Sequence, residues 1–87
     1  MRGGKIMRKM EKLLGKYKHY KGKEYEVLHI GLYEDNLKKC VIYRALYNIS
    51  EFGKDFEQCP VFVREFDNFF SNVVVDCRSV KRFSKLE

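Results

Sequence analysis

The sequence lacks the features that mark several large classes of protein. Its 87 residues include no tryptophan, one proline and three cysteines. A chain of this length folds as one domain at most, which excludes a two-domain enzyme. No stretch approaches the roughly 18 consecutive apolar residues that a membrane-spanning helix needs. The cysteines are odd in number and lack the spacing of zinc ligands, so they form neither a complete disulfide framework nor a metal knuckle, and we expect a reducing compartment.

Motifs of the common enzyme families are also missing. The sequence has no phosphate-binding loop, no dinucleotide glycine fingerprint and no Gly-x-Ser-x-Gly elbow. His19 has no nucleophile or carboxylate at a recognisable spacing, which favours a structural histidine over a proton carrier. His29 lies in the middle of a predicted strand, where we expect it to pack. We therefore predict a non-enzymatic protein with no catalytic residue, no cofactor and no metal ion.

The positive charge is concentrated at the start of the chain. Residues 1–23 carry nine basic side chains and one acidic side chain, a net charge of +8, within a total of +6 for the whole sequence. Such a cationic segment can bind phosphate with an affinity that falls as salt rises, whereas the simpler interpretation is a solubilising leader. The residues predicted to contact nucleic acid are Lys5, Arg8, Lys9, Lys12, Lys16, Lys18 and Lys21.

Residues 1–14 are predicted to form a basic amphipathic helix or arm that ends at Gly15. Its apolar side chains recur at the spacing of one helix face, and they are Ile6, Met7, Met10, Leu13 and Leu14. This stripe is expected to dock either onto the rest of the protein or onto a second copy. Charged residues interrupt the apolar stretch, so it does not resemble a secretion signal, and we expect a cytoplasmic protein.

Residues 15–87 are predicted to form a mainly β domain. From Lys16 onward the pattern alternates with period two, which indicates five to six short strands over 17–20, 25–33, 39–47, 61–64, 73–75 and 80–83. A mobile loop is expected over 48–60 and a helical turn within 65–72. Because closure removes exposed strand edges, short strands joined by tight turns favour a small, strongly bent antiparallel barrel.

Three separated segments resemble a bacterial and phage family, the domain of unknown function 1653. They are YKHYKGKEYEV from Tyr17, VIYRALY from Val41 and FVR from Phe62. Members usually carry tryptophan where this chain has Phe62, proline where it has Glu65 and Lys81, and glycine where it has Cys77. The resemblance runs from about Gly15 to about Phe83 and implies an SH3-like small barrel with no established activity.

A candidate ligand-binding groove can be assembled from aromatic and basic residues near the strand ends. Tyrosine offers a flat ring with a polar tip, and the guanidinium group can clamp an anion. The predicted ligand-binding residues are Tyr17, His19, Tyr47, Phe62, Arg64 and Arg44. For Tyr17 and Tyr47 a place in the core is an equal alternative, whereas Tyr25 is expected in the core. The arginines can instead pair with acidic residues such as Glu26.

These observations predict a binding module that engages nucleic acid, or another anionic or extended ligand, through the aromatic and basic groove. The alternative is a protein-interaction or self-associating adaptor, monomeric or weakly dimeric, that uses the amphipathic arm. A small-molecule-binding or hydrolytic domain that uses His19 with an arginine is the third and least favoured hypothesis. No membrane partner is expected.

Overall fold

The computed structural model of the protein describes residues 10–86. The structure is mainly β, as predicted, with seven strands in the described range. The elements are β1 (Gly15–His19), β2 (Glu24–Leu32), β3 (Lys39–Ala45), a 3-10 turn (Lys54–Phe56), β4 (Val61–Glu65), a helical turn (Phe66–Phe69), β5 (Asn72–Val75), β6 (Arg78–Lys81) and β7 (Phe83–Lys85).

The strands form two antiparallel sheets, and the predicted closed barrel is wrong. Five strands pair in the order β4-β3-β2-β1-β7, and β5 pairs with β6 in a separate two-stranded ribbon. Within residues 10–86 no ladder joins the edge strands β4 and β7. Side chains cover the gap instead: Phe69 stacks on Phe83 with ring centroids 4.0 Å apart, and the Arg64 guanidinium lies 5.5 Å from the Phe83 centroid.

One face of the five-stranded sheet contains the core. Along β3 the side chains of Val41, Tyr43 and Ala45 are buried, whereas Arg44 points to the opposite, exposed face. This alternation follows from the period-two geometry of a strand. The buried residues that contact one another are Tyr17, Val27, Val41, Tyr43, Phe69 and Phe83.

A β-bulge in β2 overturns the prediction that His29 packs inside. The register between β2 and β3 shifts between Val27 and His29, so that His29 lies opposite Ile42 and Ile30 lies opposite Val41. Because a shift of one residue moves every later side chain to the other face, Ile30 packs against the core and His29 is exposed. Strict alternation from Tyr25 predicts that His29 lies on the same face of the strand as Val27, which the bulge prevents.

Only the end of the predicted arm lies within the described residues. Met10 and Glu11 have helical backbone, and the N–H groups of Leu13 and Leu14 donate to the carbonyls of Met10 and Glu11. Leu14 packs against the core of its own chain. The other arm residues singled out from the sequence, Lys5, Ile6, Met7, Arg8 and Lys9, lie outside the described range. No helix among residues 10–86 is long and apolar enough to cross a bilayer.

The last predicted strand is two strands in the structure. β6 pairs with β5 in the ribbon, and β7 pairs with β1 in the main sheet. Arg82 separates β6 from β7, and its N–H donates to the Ser71 carbonyl over 2.9 Å. The chain therefore leaves the ribbon at Arg82 and enters the main sheet at Phe83.

Candidate functional site

A group of aromatic rings lies at the end of the core face nearest the β1–β2 hairpin. We call it the aromatic cluster and define it by the four half-buried side chains His19, Tyr25, Tyr47 and Phe62. Tyr25 is central: its ring centroid lies 5.5 Å from that of Tyr47, 6.4 Å from Phe62 and 6.5 Å from His19.

Strand pairing explains why these rings share a face. Tyr25 lies opposite both Tyr17 in β1 and Ala45 in β3. In the next pair of strands, Tyr43 lies opposite Phe62. Directly opposite residues point to the same face of a sheet, so the buried rings of Tyr43 and Phe83 support the half-buried rings of the cluster. The cluster is therefore continuous with the hydrophobic core.

The hydroxyl groups of Tyr25 and Tyr47 are hydrogen-bonded to each other. Burial and this hydrogen bond raise the pKa of Tyr25 to about 12, so its hydroxyl stays protonated at a pH that ionises an ordinary tyrosine. The bond joins β2 to the segment that follows β3. It therefore fixes the ring of Tyr47, which lies outside any strand.

Two cations are packed directly on the rings of this region. The Lys23 Nζ lies 4.5 Å from the Tyr47 centroid. Arg64 lies over Phe83, and its Nε donates to the Tyr43 hydroxyl over 3.2 Å. A further Arg64 nitrogen donates to the Asn68 side-chain oxygen. These contacts hold the planar guanidinium in one orientation beside the cluster.

His19 is held as a neutral hydrogen-bond donor. The N–H of Lys21 donates to His19 Nδ1 over 3.1 Å, which leaves the ring proton of the neutral imidazole on Nε2. Burial lowers the pKa of His19, and the positive charges of Arg64, Lys21 and Arg82 lower it further. All the charges that shift this pKa are positive, so the electrostatic potential at His19 favours an anion.

Two depressions of the protein surface adjoin the aromatic cluster. Tyr47 and Lys23 border one of about 330 Å³, together with residues 48–51. Phe62 borders an apolar one of about 270 Å³, together with Phe52, Phe56, Pro60 and Val61. The surface around the cluster can therefore accommodate a ligand longer than a single ring.

The structure brings together four of the six predicted ligand-binding residues, His19, Tyr47, Phe62 and Arg64. The placement of Tyr17 in a groove is wrong, because its side chain is only 3% exposed and its ring contacts Phe69 at 5.4 Å. Its hydroxyl donates to the Leu13 carbonyl over 2.8 Å.

The placement of Arg44 in the same groove is also wrong. Arg44 lies on the opposite face of the sheet, and its guanidinium forms an ion pair of 2.8 Å with Glu26, the residue directly opposite on β2. Pairing with an acidic residue, the alternative considered for the arginines, describes Arg44 correctly.

The predicted nucleic-acid contacts fall on different surfaces. Lys16 and Lys18 are exposed on β1, opposite Glu26 and Glu24 respectively. Lys12 is exposed before β1, and Lys21 lies in the β1–β2 turn beside His19. The remaining three, Lys5, Arg8 and Lys9, lie outside the described residues.

Sequence reasoning missed the roles of Tyr25 and Lys23. Tyr25 is in phase with the buried Val27, which correctly indicated contact with the core but not its position at the open end of the sheet. Ala45, the residue opposite Tyr25 on β3, is too small to cover its ring.

Comparison with known proteins assigns the fold to a family. The model of the family described as "Protein of unknown function (DUF1653)" matches residues 15–85. The chain belongs to this family. A crystal structure of a DUF1653 protein from Bordetella bronchiseptica is similar, with a TM-score of 0.71 and 23% identity over 84% of this chain and 85% of that chain. At this identity the likeness shows the fold alone, and no curated protein matches the chain.

The three segments that carry the DUF1653 resemblance meet at the aromatic cluster. The first segment supplies His19 and Tyr25, the second supplies Tyr47, and the third supplies Phe62 and Arg64. The three sequence motifs of this DUF1653 chain are therefore close together in the folded protein.

Proposed function

We propose that the protein is a non-enzymatic binding module, SH3-like in the curvature of its small sheet, that binds single-stranded nucleic acid at the aromatic cluster. The observation that carries the proposal is the combination of half-buried rings with the cations of Lys23 and Arg64 packed beside them. Proteins that bind single strands combine aromatic side chains, on which bases stack, with positive charge that attracts the backbone.

Each group of the cluster has a role in this proposal. The rings of Tyr47 and Phe62 offer faces for stacking, which contributes about 1–3 kcal/mol per base. His19 presents Nε2–H as a donor to a base edge or a phosphate. Arg64 is already oriented by Tyr43 and can reach a phosphate with its remaining donors.

The charge of the site argues against a quaternary ammonium ligand, the kind that aromatic cages bind. Such cages recognise quaternary ammonium groups through the negative faces of their rings. Here Lys23 already lies over Tyr47, and the Arg64 guanidinium lies beside the cluster on the buried Phe83. A second positive group would meet electrostatic repulsion, and an anionic ligand is favoured instead.

The test is fluorescence polarisation with labelled single-stranded oligothymidylate and oligouridylate of about 12 nucleotides. We expect binding by the wild-type protein that weakens as salt increases. We expect Tyr47→Leu, which keeps an apolar side chain but removes the ring, to lose about 1–3 kcal/mol of binding free energy. Tyr47→Phe keeps the ring and is expected to bind within a few fold of wild type.

The matched control is Tyr33→Leu, because Tyr33 is 54% exposed and follows the other end of β2. This variant is expected to bind like wild type. The proposal is wrong if the wild-type protein fails to bind either oligonucleotide at low salt, or if the leucine variants of Tyr47 and Tyr33 bind equally well. Thermal unfolding of each variant verifies that the fold is intact.

A further inference from the structure

A second, larger surface feature lies beside the aromatic cluster. It is a groove of about 770 Å³ between the end of β1 and the β5–β6 ribbon. Three basic side chains from these elements line it: Lys18 from β1, and Arg78 and Lys81 from β6. Asp76, in the turn of the ribbon, is the acidic residue of its lining. We call it the ribbon groove.

The basic side chains of the ribbon groove are available to a ligand. Lys18, Arg78 and Lys81 are all exposed. Neither of the two ion pairs found among residues 10–86 involves any of them. The hydroxyl of Ser84, opposite Lys18 on β7, adds a neutral donor to the same lining. The groove therefore presents several donors and an excess of positive charge.

The ribbon groove is connected to the aromatic cluster through His19, which belongs to both. Tyr20, 39% exposed, also lines the groove, and its ring centroid lies 4.5 Å from that of His19 at an interplanar angle of 34°. The rings of Tyr20, His19, Tyr25 and Tyr47 are thus successive neighbours from the groove into the cluster. In proteins that bind single strands, successive bases stack on aromatic side chains placed along the path of the strand.

We propose that the ribbon groove binds the phosphodiester backbone of the same single strand whose bases stack on the aromatic cluster. This inference rests on the proposed function and assigns the path that the bound nucleic acid follows across the protein. Arg78 has the planar fork that binds phosphate bidentately, and Lys18 and Lys81 supply point charges. The β5–β6 ribbon forms one wall of the path, because Val75, Val80 and the charged residues of the ribbon line the groove.

The test compares two double variants that remove the same charge. Arg78→Ala with Lys81→Ala changes the ribbon groove. Lys38→Ala with Lys39→Ala is the control, because Lys39 begins β3 and Lys38 precedes it, at the opposite end of the sheet from the β1–β2 turn. Binding of oligothymidylate and oligouridylate is measured by fluorescence polarisation at several salt concentrations. Each oligonucleotide is used at two lengths, about 12 nucleotides and about two nucleotides.

For the longer strands, the groove variant is expected to bind more weakly than wild type. The slope of log affinity against log salt is expected to decrease by roughly 1.4, the value for two lost contacts to a single strand. The control variant is expected to keep a steeper slope than the groove variant. The dinucleotide is expected to bind all three proteins alike, because it is too short to occupy the cluster and the groove together.

The inference is overturned if the groove and control variants show the same slope with the longer strands. It is also overturned if polyglutamate displaces the oligonucleotide at equal concentration of charge, since the groove would then accept an acidic peptide. Failure of the proposed function looks different: the Tyr47→Leu variant binds as wild type does, or the wild-type protein binds no strand of either length.

Discussion

Tyr25 contributes to the core and to the surface of the protein at the same time. One side of its ring contacts the buried Tyr43 and Phe83, with centroids 5.5 and 5.7 Å away, and its hydroxyl is bonded to Tyr47. A large amphipathic side chain at the end of a curved sheet can do both, because its ring packs inward while its polar tip bonds to a residue of the surface. For such a residue, assignment to the core does not exclude a role in binding.

His19 is expected to make stability depend on pH in a defined direction. Burial and neighbouring cations lower its pKa below the ordinary value of 6.5, so the folded state favours neutral imidazole. The resulting stabilisation is fully present above pH 6.5 and is lost as the pH falls through the lower pKa of the folded state. We expect the wild-type protein to lose more stability than His19→Gln over this interval, as measured by urea unfolding at a series of pH values.

The difference between the two proteins is the informative quantity, because carboxylates titrate in both. Nuclear magnetic resonance titration of the His19 ring gives its pKa directly. A pKa of 6.5 or higher, or parallel stability curves for the two proteins, would contradict the assigned environment of His19.

At the scale of the element, alternation of apolar and polar residues predicted the positions of the first four strands well. It was less successful for the face on which each side chain lies. It succeeded in β3 because Val41, Tyr43 and Ala45 are all buried on one face, as period two requires. It failed in β2 because the bulge after Val27 changes the phase, and nothing in the local pattern marks the extra residue. It also merged β6 and β7, since the change of sheet at Arg82 depends on a distant hydrogen bond to Ser71.

The candidate site was only partly predictable for a related reason. Period two assigns a residue to one of two faces, but it does not say which part of a face is open. Tyr17 and His19 share a face of β1, yet Tyr17 is covered by Phe69 whereas His19 borders the ribbon groove. The covering ring comes from a helical turn some fifty residues later, a contact that local patterns do not contain.

The turn between β5 and β6 provides a prediction for an element. Asp76 and Cys77 both adopt positive φ, 51° and 65°, as in the two-residue turns that match the twist of a hairpin. Cysteine has no side-chain feature that favours this conformation, whereas glycine adopts it without a steric cost. Cys77→Gly is therefore expected to stabilise the protein by up to about 1 kcal/mol, after its larger unfolded-state entropy is included.

Equilibrium urea unfolding measures this change. Cys77→Ser is the matched control, because it removes the thiol but retains the Cβ atom in the left-handed region. We expect no gain in stability for Cys77→Ser. If glycine and serine have equal effects, backbone strain at this position is not the cause.

At the scale of the whole molecule, the distribution of charge predicts that the N-terminal arm contributes to the binding of single strands. Residues 1–9 contain four basic residues and no acidic residue, Arg2, Lys5, Arg8 and Lys9. Under the proposed function, deletion of residues 1–9 is expected to weaken binding to single strands and to decrease the salt slope by at most roughly 2.8. Fluorescence polarisation at several salt concentrations measures the slope, and an unchanged slope would support the interpretation of the arm as a solubilising leader.

The same truncated chain tests the alternative proposal of self-association. Leu14 packs against its own core, so the remaining apolar residues of the stripe would have to supply the contact between copies. Sedimentation equilibrium of the full-length and truncated proteins measures their masses. A dimer that becomes a monomer on truncation would favour the adaptor, whereas two monomers would contradict it.

The lack of tryptophan, together with the position of the tyrosines, has a practical consequence. Without tryptophan, the six tyrosines dominate the intrinsic ultraviolet emission of this protein. Tyr25 and Tyr47 belong to the aromatic cluster, Tyr43 lies directly beneath it, and Tyr20 lines the neighbouring groove. A bound molecule that stacks there would quench much of this emission, so the unlabelled protein reports occupancy of its own site.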